Sequence, residues 1–131
     1  MSSPSEWHVL IVDDEPDNLG VLKLVLEFNN ARASTTTSGT ECLRLLQEEL
    51  PTFLLVDIQM PEMTGYELLS KIREHDEWRR VPIIAVTAHA MEGDAEQIMR
   101  AGFDGYISKP IDVLTLVEDL QTILDTDTGS V

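Results

Sequence analysis

Three short apolar runs in this chain each lead directly into charged residues. These are His8–Val12 before Asp13-Asp14, Phe53–Val56 before Asp57, and Tyr106–Ser108 before Lys109-Pro110. Continuous apolar runs of this length are typical of parallel strands that are buried on both faces. An open parallel sheet binds its ligands outside the carboxyl ends of its strands. The sequence therefore predicts one sheet edge at which three carboxylates and one ammonium group meet.

The apolar runs alternate with segments of helical periodicity, which predicts repeated βα units. Two further strands are expected, a polar one around Ala33–Thr36 and a buried one at Val81–Val86. Five βα units give a doubly wound α/β fold, in which a five-stranded parallel sheet carries helices on both faces.

Apolar residues at helical spacing mark the predicted inner faces of four helices. They are Leu19, Leu22 and Leu26 after Pro16; Leu43, Leu46 and Leu50 after a cap at Ser38; Leu68, Leu69 and Ile72 after a loop over Gln59–Gly65; and Val113, Leu116, Val117, Leu120, Ile123 and Leu124 after a cap at Asp112. The remaining helix, Met91–Ala101, has a thinner apolar stripe and is expected to be loosely held. Gly102 fits the left-handed position that closes it.

Composition limits the classes of function. The chain has 131 residues and a formal net charge of -15. Such a field repels nucleic-acid phosphates and anionic lipid headgroups, so neither is an expected partner. The single cysteine, Cys42, excludes an intramolecular disulfide, and no apolar stretch could span a bilayer, so the cytoplasm is the expected compartment. The length fits one domain, predicted over residues 7–125 between short flexible tails at 1–6 and 126–131.

Clustered carboxylates require a counter-charge, because two like charges 4 Å apart repel by about 4 kcal/mol at an effective dielectric constant near 20. Mg²⁺ takes oxygen ligands and commonly bridges carboxylates to a phosphate, which suits an acidic cluster without His or Cys. A carboxylate can also attack phosphorus. Asp57 is placed to form an aspartyl phosphate, with Lys109 balancing charge on the phosphoryl oxygens and Thr87 hydrogen-bonding another of them.

The pattern resembles the receiver domains of two-component response regulators over nearly the whole chain. The matching residues are Asp13-Asp14 at the acidic pair, Asp57 in Val-Asp-Ile-Gln-Met-Pro at the phosphoacceptor, Thr87-Ala88 at the switch hydroxyl, and Tyr106 with Lys109-Pro110. The resemblance implies a flavodoxin-like fold that resembles CheY, and it implies a cis Lys109-Pro110 bond.

The resemblance also implies roles for individual residues. Asp14, Asp57 and the backbone carbonyl of Gln59 would coordinate Mg²⁺, while Asp13 would hold the water shell of the metal. Lys109 would contact the phosphoryl group. In the same way, Thr87 and Tyr106 would form the switch pair. Gln59 and His89 match positions that tune dephosphorylation, although an exposed loop histidine is an equally good interpretation of His89.

The stretches Thr87–Asp94 and Tyr106–Pro110 look closest to stand-alone cell-cycle-type regulators and to receivers of hybrid kinases. That resemblance implies a histidine kinase or a phosphotransfer domain as phosphohistidine donor. Output would occur through changed protein contacts around the fourth helix, fifth strand and fifth helix, and a phosphorylation-dependent dimer stays open. The implied protein is a signalling phosphoprotein of a phosphorelay that catalyses only its own phosphorylation and dephosphorylation.

Several other interpretations compete with this one. Singly, Asp13-Asp14 fits a helix N-cap and Lys109 a solvated cation, but their joint occurrence with Asp57 and Thr87 at strand ends favours one site. A receiver-shaped interaction module that takes no phosphate stays open. A Mg²⁺-dependent aspartyl phosphatase of the haloacid dehalogenase type is disfavoured, because Gln59 stands where that class needs an acidic proton donor. A flavin site is disfavoured by the acids after the first strand.

Overall fold

The fold is a single parallel sheet with helices on both faces. The computed structural model describes residues 3–88 and 92–129. Its strands are β1 (His8–Val12), β2 (Arg32–Thr36), β3 (Phe53–Asp57), β4 (Ile83–Thr87) and β5 (Gly105–Ser108). Its α-helices are α1 (Pro16–Phe28), α2 (Gly39–Glu48), α3 (Gly65–Arg73), α4 (Glu92–Ala101) and α5 (Leu116–Gly129), with 3-10 turns at Pro4–Glu6 and Asp76–Trp78. The strand order is β2-β1-β3-β4-β5, and all pairs are parallel. The predicted doubly wound α/β fold is confirmed.

The sheet separates two apolar cores. Phe53 and Leu55 of β3 pack with residues of α1 and α5, whereas Leu54 and Val56 pack with residues of α2, α3 and α4. Every residue of this strand is buried. Both faces of the central strands are therefore covered, which is why their sequences are continuously apolar rather than alternating.

Capping residues mark the ends of three of the helices. The Ser38 hydroxyl accepts the Glu41 N–H at the start of α2, as predicted. Thr64 caps α3 through a capping box, in which its hydroxyl accepts the Glu67 N–H while the Glu67 carboxylate accepts the Thr64 N–H. Gly102 follows α4 with φ +112°, the left-handed conformation predicted for it.

The inner face of α2 differs from the prediction at one end. Leu50 lies beyond the end of the helix and is exposed, while Cys42 and Leu46 supply the buried positions. Pro51 accounts for this difference, because a proline disfavours the helical conformation in the residue before it. Burial raises the pKa of the Cys42 thiol to about 12.

The bounds of α5 also differ from the prediction. Asp112 accepts the Leu114 N–H through its side chain, which holds residues 113–115 in a turn, and the helix begins only at Leu116. Val113, predicted to face the core, is therefore exposed. At its other end α5 continues to Gly129, so residues 126–129, predicted as tail, are helical. At the N-terminus, the predicted tail includes the turn Pro4–Glu6. Residues 1, 2, 130 and 131 lie outside the described residues.

α4 is attached to the sheet by few apolar contacts. Met91, where its predicted start lies, is outside the described residues, and the helix is observed from Glu92. Of its described side chains only Ile98 is buried, and Met99 is exposed. The thin apolar stripe read from the sequence is confirmed.

An ionic clamp fixes the first residue of β4. Asp104 Oδ2 accepts the Ile83 N–H at 2.8 Å and the Arg73 guanidinium at 3.0 Å, while the Asp104 N–H donates to the Ile83 carbonyl at 2.9 Å. Arg73 also donates to the carbonyls of Arg79 and Val81. The clamp joins the end of α3 to the starts of β4 and β5, at the edge opposite the carboxyl ends of the strands.

Candidate functional site

Four strand ends bring the predicted site residues to one edge of the sheet. Asp13 follows β1, Asp57 ends β3, Thr87 ends β4 and Lys109 follows β5. Backbone hydrogen bonds extend the strand pairing to this edge. The Asp13 N–H donates to the Thr36 carbonyl at 3.2 Å, and the Lys109 N–H donates to the Thr87 carbonyl at 2.8 Å. The Lys109-Pro110 peptide bond is cis, as the resemblance implied.

Three carboxylates form the centre of the site. Asp13, Asp14 and Asp57 each present an oxygen, and these oxygens lie within 4.8 Å of one another. Asp13 is 1% and Asp57 3% exposed, whereas Asp14 is half-buried. Burying charged groups is costly unless they are paired or bind a metal, so this cluster needs positive charge.

Lys109 supplies part of that charge. Its Nζ lies 3.3 Å from Asp13 Oδ2 and 3.4 Å from Asp57 Oδ1, and its side chain is largely buried. Backbone N–H groups also stabilise the carboxylates by hydrogen bonds. The Glu15 N–H donates to Asp13 Oδ1 at 2.9 Å, and the Gln59 N–H donates to Asp57 Oδ1 at 3.2 Å. Among the residues that the structure describes, one cation faces three acids, and the cluster therefore keeps an excess of negative charge.

The electrostatics of the site shift the titration of two groups. Burial and the neighbouring Asp13 charge raise the pKa of Asp57 to about 6, against the opposing effect of Lys109. Burial by itself would lower the pKa of Lys109, but the charges of Asp57 and Asp13 outweigh it, so the net shift is upward. Lys109 is therefore a permanent cation near neutral pH, and Asp57 is a carboxylate of increased basicity.

The donor set fits a hard divalent cation. The cluster consists of carboxylate oxygens with no His or Cys among its members. Asp13 Oδ2 is buried, and its partner among the described groups is the Lys109 ammonium at 3.3 Å. Three carboxylates that share one ammonium group are a donor set that suits magnesium.

The loop after Asp57 is shaped by a glycine that the sequence analysis did not single out. The Gly65 N–H donates to the Ile58 carbonyl at 2.8 Å, and a Cβ on Gly65 would lie only 2.7 Å from the Asp57 carbonyl oxygen. This close approach folds the loop that carries Gln59 back against β3. The available signal was the capping-box pattern Thr64-Gly65-Tyr66-Glu67 that begins α3.

The two predicted switch residues lie on neighbouring strands. Thr87 is buried, and strand alternation places it on the same face as Ile83 and Ala85. Tyr106 is half-buried and packs against that same core. Thr87 lines a groove of about 340 Å³ with residues of α4, and Tyr106 lines one of about 420 Å³ with residues of α5. His89, the remaining predicted tuning residue, lies outside the described residues.

The fold and the site define a class: a doubly wound α/β protein with an acidic, lysine-containing site at the carboxyl ends of its strands. The chain matches the model of the response regulator receiver domain over residues 9–121, and it belongs to that family. Its role is that of a receiver in two-component signalling, a class of domain that interacts with a phosphodonor. In the described part of the chain, no helix combines the length and apolarity needed to cross a bilayer.

Sequence similarity to a named response regulator and structural similarity to two solved structures support this assignment. The polar-differentiation response regulator DivK of Brucella anthropi is 40% identical over 116 residues, which are 88% of this chain and 94% of that protein. The chemotaxis response regulator CheY4 of Vibrio cholerae superposes with a TM-score of 0.83 at 26% identity, covering 88% of this chain and 97% of that one. The receiver domain of the sensor histidine kinase PA1611 of Pseudomonas aeruginosa has a TM-score of 0.79 at 32% identity, covering 94% and 98%. That structure has a magnesium ion coordinated in its active-site cleft.

Proposed function

We propose that Asp57 is the phosphoacceptor of this receiver and that Lys109 and Thr87 assist the transfer. The observation that carries the proposal is the convergence of Asp57, its acidic neighbours and Lys109 at one sheet edge, with Nζ 3.4 Å from Asp57 Oδ1. A raised pKa makes Asp57 a better nucleophile, and a value of about 6 still leaves it mostly ionised at pH 7.5.

The reaction transfers a phosphoryl group from a phosphohistidine to Asp57. A carboxylate oxygen of Asp57 attacks phosphorus, the P–O bond forms as the P–N bond breaks, and the leaving imidazole nitrogen takes a proton. Lys109 neutralises charge on the phosphoryl oxygens, and the Thr87 hydroxyl donates to one of them. Attack of water on the aspartyl phosphate later restores the carboxylate and releases phosphate.

Asp13, Asp14, Asp57 and the backbone carbonyl of Gln59 would hold a Mg²⁺ ion. When bound, the ion supplies positive charge that offsets the carboxylates and the phosphoryl oxygens. Of the three carboxylates, Asp13 would contact the ion through its water shell. The close approach of the three carboxylates and their excess over the neighbouring cation support this assignment.

The donor would be a histidine kinase or a phosphotransfer domain, and output would occur through the face formed by α4, β5 and α5. Two observations support this face. The grooves beside Thr87 and Tyr106 open toward α4 and α5 respectively. In addition, α4 is anchored in the described residues mainly by Ile98. Movement of Thr87 toward a phosphoryl group would therefore change a weakly held surface.

Intact-mass spectrometry tests the acceptor and the metal together. The purified chain is incubated with a small-molecule acyl phosphate, with Mg²⁺ or with EDTA, beside the variants Asp57→Asn and Asp17→Asn. Asp17 is an exposed acid in the first turn of α1 and serves as the matched control. The parent and Asp17→Asn should gain one phosphoryl group only with Mg²⁺, and Asp57→Asn should gain none.

Two results would contradict the proposal. Phosphorylation of Asp57→Asn to the same extent would place the acceptor elsewhere. No gain in the parent from the acyl phosphate or from a cognate phosphorylated kinase would favour an interaction module that takes no phosphate. An NMR titration with Mg²⁺ provides an independent measurement, because the amide resonances of Glu15 and Gln59 report directly on Asp13 and Asp57.

A further inference from the structure

The outer face of α1 carries an apolar stripe that the fold does not use. An amphipathic helix on a sheet normally directs apolar residues inward and polar residues outward. In α1, Leu19, Leu22 and Leu26 fill the inward positions. Val21, Leu24 and Phe28 lie at i, i+3 and i+7 on the outer side, and Leu24 and Phe28 are 70% and 84% exposed. The helix is therefore apolar on two sides.

The stripe continues onto the turn that precedes α5. Val113 and Leu114 are exposed in that turn, Leu114 at 89%. Together with Leu24 and Phe28 they line an open groove of about 700 Å³ between α1 and the start of α5. We define the apolar patch as Val21, Leu24, Phe28, Val113 and Leu114. It exposes on the order of 500 Å² of apolar surface, near the upper end for one patch on a monomeric protein.

We propose that this apolar patch is the interface of a homodimer of the unphosphorylated protein. The size supports a second copy as occupant, because two such patches bury about 1,000 Å² and a polar rim brings the total toward the roughly 1,600 Å² of a specific interface. A two-fold interface places the same surface on both partners, so it must carry both members of any charge pair that it makes.

The rim of the apolar patch meets that requirement. Lys23 and Glu27 flank Leu24 on α1, and Glu118 lines the same groove. All three are exposed, and none has an ion pair with another described residue. A basic side chain and acidic side chains are thus available to pair across a two-fold axis. Most other cations of the described chain are already paired within the molecule.

The dimer should be weak, because each copy carries a net charge of -15 and the apolar area is at the small end for a specific interface. A dissociation constant of about 10–100 µM is expected at about 0.15 M salt. The interface does not include Asp57, and it uses the side of α5 that carries Glu118 rather than the side beside Tyr106. The proposal therefore does not rest on Asp57 being the phosphoacceptor.

Sedimentation velocity from about 5 to 300 µM, on the metal-free unphosphorylated chain, tests the proposal. The parent should shift from monomer to dimer over this range. Leu24→Ser and Leu114→Ser should each raise the dissociation constant at least tenfold. Leu50→Ser is the matched control, since Leu50 is an exposed leucine after α2, outside the apolar patch, and it should leave the constant unchanged. Thermal unfolding checks that each variant is folded.

Two outcomes would overturn the proposal. The parent could stay monomeric at 300 µM. It could also dimerise with a constant that Leu24→Ser and Leu114→Ser leave unchanged, which would place the interface elsewhere. If the parent is monomeric, loss of phosphoryl transfer from a kinase, but not from an acyl phosphate, in Leu24→Ser would assign the apolar patch to the phosphodonor.

Discussion

Replacing Asp57 with asparagine should stabilise the metal-free protein at neutral pH. The wild-type carboxylate is buried beside Asp13, and its pKa is raised to about 6 for these two reasons. Asparagine keeps the size of the side chain and can accept the same Gln59 N–H, but it carries no charge. The substitution therefore removes an electrostatic cost that the folded protein bears until a cation binds.

The magnitude follows from the shift in pKa. A change from the ordinary 3.8 to about 6 corresponds to about 3 kcal/mol, at about 1.4 kcal/mol for each unit. The attraction between Asp57 and Lys109 is already included in the net shift. Asparagine also gains an NH₂ group that needs a partner, so the expected stabilisation is about 1–3 kcal/mol at pH 7.5. For a chain of this length that is a rise in Tm of roughly 3–10 °C.

The pH dependence gives the sign of the effect. Because the folded-state pKa of Asp57 lies above its unfolded value, the stability that its protonation contributes is fully present below about pH 4 and is lost as the pH rises through about 6. Asp57→Asn has no such loss. Its advantage over the parent should therefore be smaller at pH 4.5 than at pH 7.5 by about 2 kcal/mol.

Urea unfolding in EDTA at both pH values, followed by tryptophan fluorescence, measures this advantage. Asp17→Asn is the control and should change the free energy of unfolding by less than about 0.5 kcal/mol. Addition of Mg²⁺ should stabilise the parent more than the variant, because the variant has lost a ligand. The reasoning fails if Asp57→Asn is no more stable than the parent at pH 7.5, or if its advantage is equal at the two pH values.

Three further substitutions test other parts of the structure. Gly65→Ala should cost about 2 kcal/mol and weaken Mg²⁺ binding measured by calorimetry, because its Cβ would lie 2.7 Å from the Asp57 carbonyl oxygen; unchanged affinity would refute the coupling. Arg73→Gln should cost about 2–3 kcal/mol in urea, because the Arg73 guanidinium donates to Asp104 and to the carbonyls of Arg79 and Val81; a loss below about 0.5 kcal/mol would contradict the clamp. Lys109→Met should slow phosphorylation by an acyl phosphate at least 100-fold while Mg²⁺ binding persists; an unchanged rate would remove Lys109 from the reaction.

Much of the fold was predictable because the central strands are buried on both faces. Continuous runs such as Phe53–Val56 indicate such strands without reference to any partner. The parallel direction of the strands, which places their carboxyl ends at one edge, then follows from the βα alternation, whereas the order of the strands does not. For this reason the meeting of Asp13, Asp57 and Lys109 could be predicted from sequence, since it needs only the strand ends and no side-chain detail.

The two wrong predictions of helix ends, at Val113 and at Leu50, share a physical cause, which is competition between local signals. Val113 has the spacing of an inner helical face, but the Asp112 side chain holds the residues after it in a turn. Leu50 also continues an apolar spacing, yet Pro51 stops the helix before it. Periodicity reports which face a residue would occupy if the helix continued, and it contains no information on where the helix ends.

Long-range polar contacts were outside the reach of the sequence analysis. Arg73 and Asp104 are 31 positions apart, and neither lies in a motif. The contact between Gly65 and the backbone of Asp57 likewise depends on how α3 packs against β3. Such pairings are set by tertiary packing, and one sequence without aligned relatives carries no signal for them.

The clamp at Ile83 gives the start of β4 a side-chain anchor in addition to its backbone pairing with β3 and β5. Asp104 binds both the N–H and the carbonyl of Ile83, while Thr87 is at the opposite end, beside the groove of α4. Pairing with β3 and β5 holds the rest of the strand, and the Lys109 N–H binds the carbonyl of Thr87 itself. A displacement of Thr87 would therefore be confined to the last residues of β4 and would reach β5 through this one hydrogen bond.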